Sequence, residues 1–283
     1  MTTTVPRRLK LTGTLALVYS GLAFAVAHAL VKLMNHVPAH EVTFLRAVIA
    51  FIVTFAATRA AGIPPWGKNK PMLLLRGLFG TGALLLYFYT LQTMPLASAV
   101  TIQYLHPMIT VLMAGLIYKE RASALQWLFF FLSMAGVFLV RGFDPRVTAL
   151  DLGLGVLSAI FSSCAYTLIR GLRHEDHALT VMLYLPFVSL LVLGPYTLTH
   201  WVPLTPFEWA VAFAIGISSQ VAQYFVTRAY QLEPAAKISN LTYLGIVYAM
   251  VIGIAFFGEA IEPLSFVGIL VIVASATLSA KFK

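Results

Sequence analysis

The polar residues best suited to contact a solute lie inside long apolar segments of the chain. Five of them, in residues 206–232, follow the spacing i, i+3, i+4, i+7 and i+8, which places them on one face of an α-helix. These five are Gln220, Gln223, Tyr224, Thr227 and Arg228. Polar groups within a membrane usually face the interior of a helix bundle. This face therefore predicts either the wall of a polar pathway or a row of interhelical hydrogen bonds, each worth about 0.6–2 kcal/mol.

Two further apolar segments carry polar side chains with matching spacing. Ser20 and His28 lie eight positions apart, and Ser158 and Tyr166 share that spacing. A separation of eight keeps both residues of each pair on one helical face. His28 and Tyr166 are candidate wall residues of the same pathway. A hydrogen-bonded packing role for His28 is the alternative.

A third set of candidates lies near the middle of two other apolar segments. His106 stands about 16 Å along its segment at 1.5 Å per residue, and Pro107 beside it predicts a helix kink. Tyr104 and Tyr243 both lie close to the membrane midplane. Their apolar rings and polar tips suit contact with a small amphiphile, although buried tyrosines bonded to neighbours would look the same.

Several chemistries have no support in the sequence. All ten acidic residues lie in loops or at the ends of apolar segments, so no mid-membrane carboxylate is available to bind a proton or cation. The chain lacks a Walker A sequence for driving transport with ATP. One cysteine, Cys164, excludes a cysteine cage, and we expect neither metal nor cofactor. Coupling is then either facilitated diffusion, which we favour, or proton transfer through His28 or His106.

The elements that position these residues follow from composition. Of 283 residues, 60% are hydrophobic and 10% charged, whereas soluble domains carry about 25% charged residues. Runs of about 20 apolar residues match the roughly 30 Å hydrocarbon core, and backbone groups in lipid require helices there. We predict an all-α polytopic membrane protein of ten transmembrane helices. The predicted spans are residues 11–33, 41–60, 71–93, 95–118, 123–140, 151–172, 178–200, 206–232, 234–257 and 263–281.

We interpret the net charge of +9 as a signal for orientation in the membrane rather than as evidence of a nucleic-acid-binding surface. Counted from a cytoplasmic N-terminus, thirteen basic residues, Arg76 among them, fall on inner segments and three on outer ones. Cytoplasmic loops carry the excess of Lys and Arg in membrane proteins. Both termini are therefore predicted to be cytoplasmic.

The two halves of the chain repeat. An offset of 139 positions superimposes identical residues: Gln92 on Gln231, Pro95 on Pro234, Tyr104 on Tyr243 and Glu120 on Glu259. An offset of 138 lays the first predicted span on the sixth, with Lys32 over Arg170. Five spans per half is an odd number, so the second half is inverted in the membrane, as in alternating-access transporters. The predicted units are residues 1–142 and 151–283.

On these motifs the chain resembles the EamA family of the drug/metabolite transporter superfamily, and within it the YddG-like amino-acid exporters. The resemblance rests on two spans that begin at a proline and end at Lys119-Glu120 and Gly258-Glu259. The resemblance implies a central cavity lined by spans 1, 3, 4, 6, 8 and 9, in the bacterial inner membrane. It implies export of a small molecule, an amino acid or related metabolite, with lipids as the other partners.

Two other functions remain open on the sequence. A multidrug or other metabolite exporter would share the fold. A membrane-embedded lipid-modifying enzyme would need clustered acids and bases, and the only such cluster is the loop His174-Glu175-Asp176-His177, which also reads as a solvated turn.

The charge inside the spans favours an anionic group on the substrate. The ionisable residues within the spans are Arg46, Arg228, Lys237, His28 and His106, with no acid among them. A buried positive field favours a permeating carboxylate. We expect Arg228 and Lys237 to form a cytoplasmic vestibule for it.

Overall fold

The chain was analysed as a computed structural model that describes residues 12–34, 36–93, 99, 102–120, 122–141, 148–257 and 263–281. Every regular element in these ranges is helical, in agreement with the all-α prediction. The helices are α1 (Gly13–Lys32), α2 (Ala39–Ala60), α3 (Lys70–Thr93), α4 (His106–Tyr118), α5 (Ala124–Arg141), α6 (Ala149–Gly171), α7 (Ala178–Thr199), α8 (Pro206–Leu232), α9 (Ala235–Ile238), α10 (Leu244–Phe257) and α11 (Pro263–Lys281).

The exterior of the bundle is apolar. Six helices (α1, α2, α3, α6, α7 and α8) are long and apolar enough to cross a membrane, and α4 and α5 are shorter apolar helices. Large apolar side chains point outward along these helices and along α10, including Leu116 at 83% exposure and Phe256 at 80%. Such surfaces are stable against lipid and not against water. The chain is a multi-pass membrane protein.

Polar residues define where several helices begin. The hydroxyl of Thr12 accepts a hydrogen bond from the Leu15 amide at the start of α1. Thr148 does the same for the Asp151 amide of α6, and Thr205 forms a capping box with Glu208 at the start of α8. These caps satisfy amides that have no partner within the helix.

Two predicted spans are not continuous helices. The span predicted over 234–257 consists of α9, a 3₁₀ turn over Ser239–Tyr243, and α10. In the described part of the span over 95–118, Tyr104 and Leu105 form a turn and α4 begins at His106. Pro107 therefore lies in the first turn of α4, where its missing amide costs nothing, and the predicted interruption of the helix is a turn just before it.

The main contacts between helices each have a counterpart between the equivalent helices of the other half of the chain. The pair α1–α8 has its counterpart in α6–α3, the pair α2–α8 in α7–α3, and the pair α1–α10 in α6–α4. The pairs α2–α7 and α5–α11 join equivalent helices of the two halves.

Individual contacts follow the same exchange. The hydroxyl of Ser20 donates to the carbonyl of Ala222 at 3.0 Å. At the equivalent positions, 138 and 139 residues away, the hydroxyl of Ser158 donates to the carbonyl of Ala83 at 2.8 Å. The two predicted offsets thus relate two hydrogen bonds that join α1 to α8 and α6 to α3.

Glycines show a second matched pair of contacts. Gly77 of α3 packs against Val188 of α7, where an added Cβ would lie 2.5 Å from the valine. Gly216 of α8 packs against Ile49 of α2, where an added Cβ would lie 2.6 Å away. Gly77 and Gly216 are 139 positions apart, as are Ile49 and Val188.

Charged residues concentrate at the two ends of the bundle. We call the end with Glu120, Arg170 and Asp176 the Glu120 face, and the end with His36 and Glu208 the Glu208 face. The Glu120 face holds the ends of α4 and α6 and the start of α7. The Glu208 face holds the end of α1 and the start of α8.

The two faces also carry an equivalent contact. His36 pairs with Glu208 on one, and the side-chain amide of Asn69 donates to the Glu175 carboxylate at 2.6 Å on the other. His36 and Glu175 are 139 positions apart, as are Asn69 and Glu208. A contact on one face thus has its repeat-related contact on the opposite face.

Candidate functional site

The centre of the bundle contains two buried arginines, Arg46 of α2 and Arg76 of α3, which are 5% and 2% exposed. Nη2 of Arg76 donates to the side-chain oxygen of Gln223 of α8 at 3.1 Å. Nε of Arg76 is buried and has no partner among the described residues. The two guanidinium charges lie near enough to repel each other.

Tyr166 of α6 lies between these charges and the aromatic part of the centre. Its hydroxyl interacts electrostatically with both Arg46 and Arg76. Its ring contacts His106, with centroids 5.2 Å apart, and stacks on Tyr230 at 5.0 Å. A phenol can donate or accept a hydrogen bond, so Tyr166 can bind either an acceptor or a donor group of a solute.

Tyr104 and Tyr243, which are equivalent in the predicted repeat, stack on each other with centroids 5.6 Å apart. Equivalent residues of two pseudosymmetric halves can touch only near the axis that relates them. The hydroxyl of Tyr104 sits against Gly245, where any Cβ would collide with it. The buried hydroxyl of Tyr243 and Nδ1 of His106 have no partner among the described residues.

His28 of α1 completes the group on the side of the Glu208 face. Its ring lies 5.9 Å from Phe24 and 5.8 Å from Tyr87, and it interacts with the charge of Arg46. We define the central cluster as eight side chains from six helices and the two turns that precede α4 and α10. They are His28, Arg46, Arg76, Tyr104, His106, Tyr166, Gln223 and Tyr243.

The polar residues predicted to share one face of α8, which we call the polar stripe, lie in different surroundings in the structure. Gln220 points away from the central cluster and donates its amide to the Thr54 hydroxyl of α2, which is the hydrogen-bonding alternative of the prediction. Tyr224 packs on Phe225 and lines an apolar groove of about 290 Å³ with Gln220, Val53 and Leu179. Only Gln223 of the stripe reaches the central cluster.

The expected cytoplasmic vestibule is incomplete in the structure. Nζ of Lys237 lies 2.7 Å from the carboxylate of Glu233, one turn earlier in the chain, so its charge is neutralised locally. Arg228 is half-buried near the Glu120 face. Burial, and then the charge of Arg228, lower the pKa of His177. Arg228 is the part of the predicted vestibule that keeps a free charge among the described residues.

The loop considered for enzyme chemistry has structural partners. The carboxylate of Asp176 accepts from the amides of Lys68 and Asn69. Nδ1 of His177 accepts from the Leu179 amide at the start of α7. The part of the chain that the structure describes holds no group of three His, Cys, Asp or Glu placed to bind a metal ion.

Sequence reasoning missed Arg76. It was counted with the basic residues of the inner segments, yet it lies six residues into α3 with its side chain buried. The available signal was its place inside a predicted span, the same signal that singled out Arg46. Arg76 belongs to the interior, which leaves twelve basic residues on the predicted inner side.

The central cluster contains the kinds of group that bind anions in proteins. It offers two guanidinium groups, a phenol and a buried imidazole nitrogen, and it holds no carboxylate among the described residues. Guanidinium groups bind carboxylates through paired, charge-assisted hydrogen bonds.

Comparison with known proteins places the chain in a family. The model of the EamA-like transporter family matches residues 11–142 and 151–280. The chain is 32% identical over 271 residues to the pseudopaline exporter CntI of Pseudomonas aeruginosa, covering 94% of this chain and 95% of the relative. It is 27% identical to human solute carrier family 35 member G1, covering 90% and 75% of the two chains.

A solved crystal structure has the same fold, with a TM-score of 0.84 at 20% identity over 95% of this chain and 96% of the other. The family and these named relatives are transporters, not enzymes. The chain belongs to the EamA-like transporter family.

Proposed function

We propose that this protein is a secondary exporter of small metabolites that carry a carboxylate, amino acids among them, and that it works by alternating access. The observation that carries the proposal is the pair of buried arginines in the central cluster, which form no ion pair with a described acidic residue. A cationic drug would meet repulsion there, which disfavours the multidrug alternative. The name of the CntI relative, an exporter, favours outward transport.

The proposed mechanism uses two inverted five-helix repeats, residues 1–142 and 151–283, in ten spans. The matched bonds of Ser20 and Ser158 support this division, since each joins one half to the other at equivalent positions. The matched contacts on opposite faces support the inversion. Alternating access would then be a rocking of the halves about the central cluster.

The proposed pathway enters past Arg228 at the Glu120 face and then passes the central cluster, including His28, Tyr104, His106, Tyr166, Gln223 and Tyr243. Gln220 and Tyr224, at the apolar groove, would affect it through the packing of α8 on α2. We assign the Glu120 face to the cytoplasm, because Arg59, Lys68, Lys70, Arg170 and Arg173 lie there.

Uptake into liposomes tests the transport proposal. Purified protein is assayed against a panel of amino acids, their amides and the matching amines, with the pH gradient and membrane potential clamped to zero or imposed. We expect flux of the carboxylates down their own gradient without accompanying proton movement. Strict proton stoichiometry would contradict facilitated diffusion, and equal flux of the amines would contradict the carboxylate preference.

Reporter fusions test the proposed topology. A reporter placed after Lys283 should be cytoplasmic, and one inserted near Met94, outside the described residues, should be extracytoplasmic. A C-terminus on the outer side would contradict both the ten spans and the inverted repeat.

A further inference from the structure

Arg46 and Arg76 both lie deep in the bundle, on helices that begin at opposite faces. At 1.5 Å per residue, Arg46 stands about 10 Å along α2 from the Glu208 face. Arg76 stands about 9 Å along α3 from the Glu120 face. Their side chains come from opposite directions to the same region, where their charges repel and both interact with Tyr166.

Arg76 does not reach back to the membrane surface. Its Nη1 lies beside Gly80, one helical turn further into the bundle, where a Cβ would collide with it. Its Nη2 is held by Gln223, and its Nε has no partner in the described structure. A snorkelling arginine would extend toward the nearer face. The Arg76 side chain is instead held in the interior, and its Nε is available for a further hydrogen bond.

The acidic residues that the structure describes form no ion pair with these two arginines. Seven acidic residues lie within the described residues, and each has a partner at an end of the bundle. They are Glu41, Glu120, Asp151, Glu175, Asp176, Glu208 and Glu233. Two like charges in a low-dielectric interior are costly unless an anion offsets them.

We infer that the transported molecule carries two carboxylates, one bound by Arg46 and one by Arg76, with the Tyr166 hydroxyl between them. This inference rests on the proposed transport function and narrows its substrate class from a single carboxylate to two. A neutral amino acid would satisfy one guanidinium only. Its ammonium group would find no described carboxylate in the central cluster.

The test compares compounds that differ in one carboxylate. Glutarate and glutamate are compared with glutaramate and glutamine, by uptake into proteoliposomes and by ligand-induced thermal stabilisation of the purified protein. We expect each dicarboxylate to act at a concentration at least about tenfold below that of its monoamide, because a charge-assisted hydrogen bond is lost in the amide. Arg46→Gln and Arg76→Gln should each reduce that difference to less than about threefold.

Arg59→Gln is the matched control, since it removes the same charge from an exposed position in the last turn of α2. It should keep the wild-type preference. Arg76→Lys keeps the charge without the forked geometry and should retain part of the preference.

The uptake and thermal-stabilisation measurements distinguish the exporter proposal from the inference of a substrate with two carboxylates. Transport of monoamides and dicarboxylates alike, unchanged in both glutamine variants, would overturn this inference and leave the transporter standing. If no compound is transported, the exporter proposal fails for this panel. Thermal stabilisation then decides the inference: stabilisation by glutarate but not glutaramate, lost in Arg76→Gln, supports the site, and its absence overturns it.

Discussion

Ser20 and Ser158 stand at equivalent positions in the two halves and make equivalent hydrogen bonds to the facing helix. Arg46 and Arg76 have no such equivalents, because the positions 139 residues later hold Leu185 and Ile215. Helix packing thus repeats between the halves, whereas both buried charges of the centre come from the first half.

This difference separates the requirements of folding from those of binding. Contacts such as Gly77 with Val188 and Gly216 with Ile49 join the two halves at equivalent positions. The centre must instead complement a substrate, whose groups need not be related by the two-fold axis of the repeat. We therefore expect substitutions in the repeated contacts to affect stability, and substitutions in the central cluster to affect transport.

The largest loss of stability is expected at the Glu120 face. Nη2 of Arg170 lies 2.7 Å from the Glu120 carboxylate, and Nη1 faces the carbonyls of Tyr230 and Gln231. Arg170→Gln should cost about 3–5 kcal/mol, because it leaves a shielded carboxylate without its main partner. Arg173→Gln is the control: Arg173 contacts the same oxygen at 3.1 Å but is 28% exposed, so it should cost about 1 kcal/mol or less. Thermal unfolding in detergent measures both, and equal losses would contradict the role of burial.

The centre should respond in the opposite direction. The double variant Arg46→Leu with Arg76→Ile gives the first half the residues that the second half carries at these positions. Replacing buried charges with apolar side chains is neutral or stabilising by about 1–4 kcal/mol, so the melting temperature should hold or rise. Transport in liposomes should be lost. A marked fall in melting temperature would mean that the arginines serve the fold.

The two glycine contacts should differ in how they can be rescued. Gly77→Ala and Gly216→Ala should each cost about 1–3 kcal/mol through overpacking. Ile49→Ala should restore much of the loss at Gly216, where the neighbours are side-chain atoms of Ile49. Val188→Ala should restore less at Gly77, because the Tyr184 carbonyl lies only 2.6 Å from the added Cβ. Gly153→Ala, with open space around it, is the control for helix propensity.

The smallest effect is expected at the matched hydroxyls. Ser20→Ala should cost about 1 kcal/mol, the net value of one buried hydrogen bond. Ser158→Ala should cost at least as much, because the Ser158 hydroxyl also lies 3.0 Å from the side-chain oxygen of Gln103. Because the two bonds share no partner, the double variant should show the sum. Ser218→Ala, whose hydroxyl bonds within its own helix to Ala214, should change stability less. A smaller loss at Ser158 than at Ser20 would weaken the proposed equivalence of the halves.

Much of the fold was readable from the sequence. The predicted spans agree with α1, α2, α3, α6, α7 and α8 to within a few residues, because an apolar run of membrane length has few other structures available. The offsets of 138 and 139 relate the contacts of Ser20 to Ser158 and of Gly77 to Gly216. The break between α9 and α10 carried no comparable signal. The turn consists of Ser239, Asn240, Leu241, Thr242 and Tyr243, residues that a helix disfavours only weakly, so packing decides between the 3₁₀ turn and a helix.

The candidate site was readable only in part. Helical spacing placed Gln220, Gln223 and Tyr224 on one face, yet a face of that width meets several neighbours. Gln223 meets Arg76, Gln220 meets Thr54, and Tyr224 borders an apolar groove. Hydropathy identified Arg46 as an interior charge but gave no partner for it.

The sequence by itself determined the membrane helices, the offset between the halves and one of the two buried arginines, Arg46. Those properties are local along the chain: the length of an apolar run, the period of a helix and the identity of equivalent positions. The tertiary structure decided which polar side chains meet and that Arg76 turns inward over Gly80 rather than outward to the surface. That choice depends on which helix of the other half packs against each face. Here the facing residue is Gln223 of α8, 147 positions further along the chain.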